Sequence, residues 1–467
     1  MLVSRIAAGK NGKHYLEVDG YPFFYQAVQA MYYEEGGMEK LVKDAKELHY
    51  PCFSVWLYWR LLEPVQGQYD WTSVDELISF AVKHDIRLDI VWGGTMFCDH
   101  MDDRFAPTWV YGDPQYHLKD ENGVPYVLDA SDRPPSPAAD PCCRKLLEAE
   151  KSIFKALLAH LAEYDTTHRV VFFQVGNEIN LNGYWGGKTN VLNYINQLCG
   201  VFEENEYHIA TRVNIAKYQM DAEIDALPYI MAQGVDCYTT NVWIIRMSML
   251  DPNCTKMKYI AENAAYFNST ALMTAAFAAG GFFNTYRIDY DFYWKKPGFY
   301  DERGLLTPGA VKVRQMNEAY GKIGELIAMA APNEMVDFNN ETGKQPFNDY
   351  RENKMLGGYG IGMCCNSSDA VGLALCYEGS FYCVADSDAW FMVFNYPIVC
   401  EEGEFVNGQW KCNSVKEAVK WQVNWQDDDF VVPYAAGEAL KITISGKRDP
   451  IVPLTYEEYN KTKENDK

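Results

Sequence analysis

The chain has 467 residues, with 42 Lys and Arg against 64 Asp and Glu, and carries a formal net charge of −22 at pH 7. An acidic chain without a basic run lacks the cations that displace counterions from phosphate backbones, so nucleic acid is not expected as a partner. Hydrophobic residues make up 48% and aromatic residues 15% of the chain, which predicts a folded core and excludes a disordered protein.

The lack of a recognisable secretory signal or membrane segment favours a cytoplasmic protein. Arg5 and Lys10 interrupt the N-terminal apolar run before it reaches the length of a secretory signal. No window approaches the roughly 18 apolar residues of a membrane helix, so no membrane partner is expected. The 13 cysteines form an odd number without a repeating spacing, which favours reduced thiols in a cytosol. A homo-oligomer is compatible with these features.

From about residue 22 to about residue 330, short β-branched and aromatic runs alternate with longer amphipathic segments. This alternation is typical of strand and helix units around a parallel sheet. Eight strands are predicted, and they indicate a closed (β/α)8 TIM barrel. The predicted strands are 22–28, 52–57, 87–92, 170–175, 211–216, 235–240, 257–261 and 281–286. The clearest predicted helices are 37–48, 73–84, 191–204 and 310–330.

After residue 332 the pattern changes to short alternating segments separated by Gly and Asp turns. Segments 372–377, 381–385, 390–395 and 439–445 are predicted as strands because apolar and polar residues alternate in them. We therefore predict an α/β protein of two domains. Residues 1–332 form the catalytic barrel, and residues 333–467 form a smaller β-rich, sandwich-like domain with a charged C-terminal tail.

Metal and nucleotide sites are not predicted. All eight histidines lie at or before position 208, and His160 and His168 are not three or four residues apart, as two ligands on one helix would be. The chain contains no C-x-x-C pair, which disfavours structural zinc and, with the histidine distribution, a metal-dependent barrel isomerase. The run from Gly183 to Thr189 is similar to a phosphate loop, but Asn182 stands where the Walker spacing requires glycine. No cofactor is expected.

Two glutamates follow predicted buried strands. Asn177 and Glu178 come directly after the apolar run of strand 170–175, and Glu262 comes directly after strand 257–261. The carboxyl ends of barrel strands open into the active site. Two glutamates at one barrel rim can serve as proton donor and nucleophile in the cleavage of an acetal. Glu178 and Glu262 are therefore the predicted catalytic residues.

These motifs resemble the clan A glycoside hydrolases, and most closely the β-galactosidases of families 35 and 42. The resemblance covers about residues 15 to 330. It is carried by Asn177-Glu178, by Glu262, and by the segments WRLLEPVQGQYDW at 59–71, LDIVW at 88–92 and Pro107-Thr-Trp109. It implies a retaining mechanism in which Glu262 attacks the anomeric carbon while Glu178 protonates the leaving oxygen and then activates water. It also implies that Asn177 binds the sugar 2-hydroxyl and that Tyr238 contacts the nucleophile.

One departure leaves the sugar open, because family 35 usually has Glu-Asn-Glu where this chain has Gly176-Asn177-Glu178. Aromatic rings near predicted strand ends are candidates for stacking on a sugar, and nearby polar side chains are candidates for binding its hydroxyls. The stacking candidates are Trp92, Trp109, Trp243 and Tyr286, and the polar candidates are Asn284 and His100.

The predicted function is that of a retaining, exo-acting β-glycosidase on a neutral glycoside or oligosaccharide, with β-galactosides first. The alternatives are a β-glucosidase, a β-mannosidase or a β-xylosidase, and a catalytically inactive carbohydrate-binding barrel.

Overall fold

A computed structural model describes most of the chain. The described residues are 2–9, 12–30, 37–96, 105–128, 135–266, 269–291, 295–339, 350–365, 367, 369–394, 396–424 and 427–446. Within these ranges no helix combines the length and the apolar character needed to span a bilayer.

Eight parallel strands close into a barrel, and a helix follows each of them in the chain. The strands are β1 (Gln26–Ala30), β2 (Cys52–Tyr58), β3 (Arg87–Gly93), β4 (Val170–Gln174), β5 (Ala210–Ile215), β6 (Ala232–Asp236), β7 (Met257–Glu262) and β8 (Phe282–Tyr286). The helices are α1 (Met38–Glu47), α2 (Thr72–His84), α3 (Arg144–Tyr164), α4 (Lys188–Glu203), α5 (Ala222–Asp225), α6 (Val242–Met249), α7 (Ser269–Ala278) and α8 (Pro308–Met329). The order of the strands around the barrel is their order in the chain, and β8 pairs with β1. The predicted (β/α)8 barrel is confirmed.

Short elements complete this part of the chain. Two short helices follow β2 and β3, namely Trp59–Leu62 and Thr108–Tyr111. The long connection after β3 also contains a 3-10 turn, Pro114–Tyr116, and a small antiparallel ladder of Val127–Leu128 with Ser136–Pro137.

The first strand begins later than predicted, because the chain before it forms a separate antiparallel sheet. This sheet consists of Ser4–Ala8, His14–Val18 and Tyr21–Pro22, so the predicted start at residue 22 was wrong. Leu16 and Val18 pack with the residues that begin the barrel strands and close the amino end of the barrel.

The sixth strand was also predicted too late in the chain. It ends at Asp236 rather than near residue 240, since the chain leaves the sheet at Cys237 and turns towards α6. This difference of four residues places Asp236 at the carboxyl end of the barrel.

The interior of the barrel is polar in its middle layer. The Arg212 side chain donates hydrogen bonds to both carboxylate oxygens of Asp89, and both residues are fully buried. Arg212 Nη1 also donates to Tyr259 Oη at 3.0 Å. A side chain on Gly234 would meet that ring, because an added Cβ would lie 2.3 Å from Tyr259 Cζ. Gly234 therefore gives Tyr259 the room to satisfy this buried cation.

Two antiparallel sheets follow the barrel. The six-stranded sheet has the order Met335–Phe338, Gly372–Tyr377, Ser380–Ala385, Leu440–Ile444, Ile398–Val406, Gln409–Lys416. The five-stranded sheet has the order Tyr350–Leu356, Tyr359–Cys365, Ala389–Val393, Asp427–Tyr434, Val419–Asn424. Residues of both sheets share one apolar cluster, so the sheets pack face to face and the predicted β-rich region is confirmed.

The six-stranded sheet also packs against the barrel. Leu373, Leu375 and Val384 belong to the same apolar cluster as residues of α7 and α8. A partly buried ion pair between Arg246 of α6 and Asp337 joins the two parts as well. The domain boundary after residue 332 stays a prediction.

Candidate active site

Three carboxyl groups meet at the carboxyl end of the barrel. Glu178 lies in the loop after β4, Asp236 ends β6 and Glu262 ends β7. Burial raises the pKa of both Asp236 and Glu262, and the charge of Glu178 raises both further. The charge of Glu262 also raises the pKa of Asp236. The fold therefore brings the two predicted catalytic glutamates together and adds a third carboxyl.

Glu262 is buried but well supplied with hydrogen-bond donors. Gln29 Nε2 donates to Glu262 Oε1 at 3.0 Å, and the Tyr238 hydroxyl donates to Glu262 Oε2. Burial, followed by the charge of Glu178, raises the pKa of Glu262 to about 7, and the two hydrogen bonds oppose that rise. The carboxyl group is thus poised to ionise near neutral pH.

A break in strand register turns Glu262 towards the barrel mouth. Met257, Tyr259 and Ala261 belong to the interior cluster, so strict alternation would direct Glu262 outward. Between β6 and β7, however, the pairing passes from Val235↔Ile260 to Asp236↔Glu262, which leaves Ala261 as an extra residue. Such a bulge re-aims the side chain that follows it.

Tyr238 lies where the sequence placed it, in contact with Glu262. The residue is 39% exposed, but its hydroxyl is withdrawn to the carboxylate. Burial of the hydroxyl and the charge of Glu262 raise the pKa of Tyr238 well above its ordinary value, so the hydroxyl stays protonated and donates. Its ring meets the ring of Tyr286 edge to face at 6.0 Å.

The loop that carries Glu178 has an unusual backbone. Gly176 and Glu178 have positive φ angles of 81° and 44°. A Cβ on Gly176 would lie 2.9 Å from Ile179 Cγ2 and 3.2 Å from the Met96 carbonyl oxygen. The turn therefore leaves no room for a side chain at position 176, where the sequence departs from the Glu-Asn-Glu pattern.

Asp236 was missed by the sequence analysis. It is 5% exposed, and Asn214 Nδ2 donates to both of its oxygens at 3.0 and 3.2 Å. Its carboxyl group is hydrogen-bonded to that of Glu178, and burial and the charges of Glu262 and Glu178 hold its pKa well above the ordinary value. The signal available in the sequence was an acid at the end of an apolar run, the same signal that identified Glu178.

Buried amides connect these carboxyl groups. Gln174 Nε2 donates to Asn177 Oδ1 at 2.8 Å and to Asn214 Oδ1 at 3.0 Å. Asn214 Oδ1 also accepts the backbone N–H of Glu178 at 2.9 Å. Asn177 is buried beside Glu178, where the resemblance places it. The side chains of Gln174 and Asn214 fix the loop that presents Glu178.

Two predicted residues of β8 also reach the site. Asn284 is fully buried and its Nδ2 donates to Gln29 Oε1 at 3.2 Å, so it orients the amide that holds Glu262. The Tyr286 hydroxyl lies 3.3 Å from Asp291 Oδ2, and burial, followed by the charge of Glu262, raises the pKa of Tyr286. Asn284 therefore contacts Gln29, which in turn binds Glu262. Tyr286 lies close enough to Glu262 to be affected by its charge.

The predicted tryptophans are dispersed. Trp92 is buried in the helix layer outside the barrel, where its indole N–H donates to Glu150 and its ring packs on Phe154. Because β3 directs Trp92 away from the barrel interior, the structure does not bring it to the site. Trp109 is anchored on Trp59 and on the Glu63 carbonyl oxygen. Trp243 begins α6 and is 60% exposed.

The last predicted residue, His100, lies outside the described residues. Throughout the described ranges, no group of three His, Cys, Asp or Glu side chains is arranged to hold a metal ion.

Comparisons with known proteins give distant similarities at low identity. No family model and no curated protein sequence matches the chain. Similar solved structures include the exo-β-1,4-mannosidase from Opitutaceae bacterium strain TAV5, with a TM-score of 0.48, 12% identity and coverage of 67% of this chain and 62% of that chain. A monomeric β-xylosidase from Caulobacter crescentus CB15 has a TM-score of 0.48 and 12% identity, with coverage of 94% of this chain and 97% of that chain. A β-galactosidase from the Antarctic haloarchaeon Halorubrum lacusprofundi has a TM-score of 0.47 and 11% identity, with coverage of 64% of this chain and 58% of that chain. The chain spans less than two thirds of the mannosidase and of the galactosidase.

Proposed function

We propose that this protein is a retaining, exo-acting β-glycosidase, which hydrolyses terminal non-reducing sugars through a covalent glycosyl-enzyme intermediate. The observation that carries the proposal is the pairing of Glu262 with Glu178 at the carboxyl end of the barrel. The Glu262 carboxylate accepts hydrogen bonds from Gln29 and Tyr238, and the Glu178 backbone N–H donates to Asn214. The two carboxyl groups are close enough that the charge of Glu178, after burial, raises the pKa of Glu262. Retaining hydrolysis needs two such groups, one as nucleophile and one as acid and base.

In this proposal Glu262 is the nucleophile and Glu178 is the proton donor. Tyr238 and Gln29 hold the Glu262 carboxylate with both oxygens engaged, which orients it for attack on the anomeric carbon. Glu178 is half-buried and lies in a loop, where it can reach the glycosidic oxygen. Asn177, buried beside it, is the candidate partner of the sugar 2-hydroxyl.

Among sugars we place β-galactosides first, because the motifs around the second, third, fourth and seventh strands resemble families 35 and 42. The closed turn at Gly176 sets this chain apart from family 35, so β-glucosides, β-mannosides and β-xylosides belong in the same experiment. The reaction assigned to Glu178 and Glu262 requires no metal and no cofactor.

A panel of 4-nitrophenyl glycosides tests the proposal. It should contain both anomers of galactose, glucose, mannose and xylose. We expect hydrolysis of a β-anomer with retention at the anomeric carbon. Proton NMR of the first product measures the anomeric configuration. Glu262→Gln should lower kcat/KM by about 100-fold or more on these substrates, and Glu178→Gln should do so on an alkyl glycoside, whose poor leaving group needs the acid.

The matched control is Glu318→Gln, since Asn317-Glu318 repeats the dipeptide in α8 and Glu318 is solvent-exposed next to Lys322. It should retain wild-type activity. Azide should restore turnover in alanine variants, with a β-glycosyl azide from Glu178→Ala and an α-glycosyl azide from Glu262→Ala. Sugar binding without hydrolysis in the wild type would favour the inactive binding barrel and overturn the proposal.

A further inference from the structure

Asp236 and Glu178 present two carboxyl groups in hydrogen-bond contact. Ionised carboxylates only accept hydrogen bonds, so this contact requires a proton on one of the two groups. Asp236 is 5% exposed, whereas Glu178 is half-buried. Burial penalises the charged form, so Asp236 is the group that keeps its proton when Glu178 ionises.

One amide fixes the geometry of the pair. Asn214 Nδ2 donates to the oxygens of Asp236 at 3.0 and 3.2 Å, and Asn214 Oδ1 accepts the Glu178 backbone N–H at 2.9 Å. The donor role of Asn214 leaves the hydroxyl of a protonated Asp236 free to point at Glu178. The arrangement is that of a neutral carboxylic acid held as a fixed hydrogen-bond donor.

We propose that Asp236 is a positioning residue that stays protonated and donates a hydrogen bond to the Glu178 carboxyl group, stabilising the charge that develops there during catalysis. The inference deepens the glycosidase function proposed above and rests on it. A donor aimed at a developing charge accelerates a reaction because it binds the transition state better than the ground state.

The proton balance is complete without a further reactant. In the first step Glu178 gives its proton to the glycosidic oxygen, the carbon–oxygen bond breaks with its electron pair on that oxygen, and a Glu262 oxygen bonds to the anomeric carbon. The new Glu178 carboxylate then accepts the Asp236 hydrogen bond. In the second step a water oxygen attacks the anomeric carbon and gives its proton to Glu178, and the ester electron pair returns to Glu262.

The surroundings favour a neutral Asp236 throughout. Burial raises the pKa of Asp236, and the charges of Glu262 and Glu178 raise it further. The titratable and charged groups around it from the neighbouring strands are Glu178, Glu262, Tyr259, Tyr238 and Cys237, with Arg212 bonded to Tyr259 in the layer below.

Two substitutions at position 236 distinguish the loss of the hydrogen-bond donor from a change in side-chain volume. Asp236→Asn keeps a donor, since its amide can give a hydrogen bond to Glu178 while its oxygen accepts from Asn214. Asp236→Leu keeps the approximate volume but removes the donor. Each variant is assayed on two aryl glycosides of the sugar that the wild type cleaves, one with a good and one with a poor leaving group.

We expect Asp236→Asn to stay within about tenfold of the wild-type kcat and Asp236→Leu to lose about 10- to 100-fold on the poor leaving group. The loss in Asp236→Leu should be much smaller on the good leaving group, which needs little help from an acid. The basic limb of kcat/KM should move to higher pH in Asp236→Leu, because the Glu178 anion has lost its donor. Asp85→Asn, at an exposed surface acid, is the matched control and should behave as wild type.

Equal losses in both variants on both substrates, or an unmoved basic limb, would overturn the inference while leaving the glycosidase function intact. A wild type that hydrolyses no glycoside would instead remove the function itself. If Asp236→Leu does not fold, infrared spectroscopy supplies the test. The difference spectrum between wild type and Asp236→Asn at neutral pH should contain a protonated carboxyl band, and the absence of that band from the difference spectrum would contradict the inference.

Discussion

At the scale of single residues, the chemistry of the site depends on how the Glu262 charge is held. Burial raises its pKa to about 7, and the hydrogen bonds from Tyr238 and Gln29 oppose that rise. As the proposed nucleophile, Glu262 must be ionised, so the acid limb of kcat/KM in the free protein should report this group. Wild-type activity should therefore fall as pH decreases through about 7.

Tyr238→Phe removes one of those hydrogen bonds. A hydrogen bond to a charged group contributes about 1.5 to 3 kcal/mol, so the acid limb should move up by about 1 to 2 pH units. The measurement is kcat/KM against pH. Tyr218→Phe, at an exposed tyrosine, is the control and should leave the limb in place. An unmoved limb in Tyr238→Phe would mean that the tyrosine does not stabilise the carboxylate.

Glu262 also links stability to pH. Its pKa is raised from 4.5 to about 7, so the folded state binds this proton more tightly than the unfolded state. The wild type therefore loses stability as pH rises between these values. Glu262→Gln lacks this loss, and its unfolding free energy relative to wild type should increase by at most about 3 kcal/mol from pH 5 to pH 8. Urea unfolding at both pH values measures the difference. Glu318→Gln should show none.

The sequence anticipates part of this site. Glu178, Glu262, Asn177 and Tyr238 follow buried strands of a barrel, and the strand ends bring them together. Asp236 escaped notice because the predicted sixth strand, 235–240, placed it at a strand beginning. Trp92 was chosen for its position near a strand end, but the side to which a strand directs a residue depends on register, which local pattern leaves open.

At the scale of elements, the loop after β4 decides how Glu178 is presented. Gly176→Ala combines a positive φ of 81° with contacts to Ile179 and the Met96 carbonyl oxygen. We expect a destabilisation of about 1 to 3 kcal/mol and a loss of activity, because the Asn177-Glu178 turn must shift. Gly183→Ala has a similar φ of 84° with no atom near the added Cβ. It isolates the backbone effect and should keep activity. Equal activity in both variants would contradict this account.

The bulge in β7 could not be predicted from the sequence. Residues 257–261 read as a regular buried strand, and nothing in their composition marks Ala261 as an extra residue. The bulge arises from pairing with β6, which is a property of two distant segments. Helix bounds were easier to predict, since the predicted 37–48 and 191–204 differ from α1 and α4 by at most three residues at either end.

At the scale of the whole molecule, the barrel and the sheets share apolar surface. Leu373, Leu375 and Val384 cover helices of the barrel, and Arg246 pairs with Asp337 across the junction. A chain truncated after residue 332 would expose this surface to water. We expect it to aggregate or to melt at a lower temperature than the full chain. Size-exclusion chromatography and thermal melting measure this.

A chain truncated after residue 446 is the matched control, because it lacks only the tail that the sequence predicts as charged. It should melt as the full chain does. A well-behaved barrel from residues 1–332 would show that the two parts fold independently. The sequence predicted the order of barrel and β-rich region because the periodicity changes near residue 332. It did not predict their shared core, since such contacts depend on tertiary packing.

The extra residue Ala261 has a consequence for the history of such a protein. Deleting the Ala261 codon would place the glutamate directly after Ile260, whose side chain packs among the helices, so regular alternation would direct the carboxyl group inward and keep it opposite Asp236. The gene product would then present the proposed nucleophile from a strand that is one residue shorter. In an alignment, a gap of one residue at this strand would therefore not mark the loss of this glutamate from the barrel mouth.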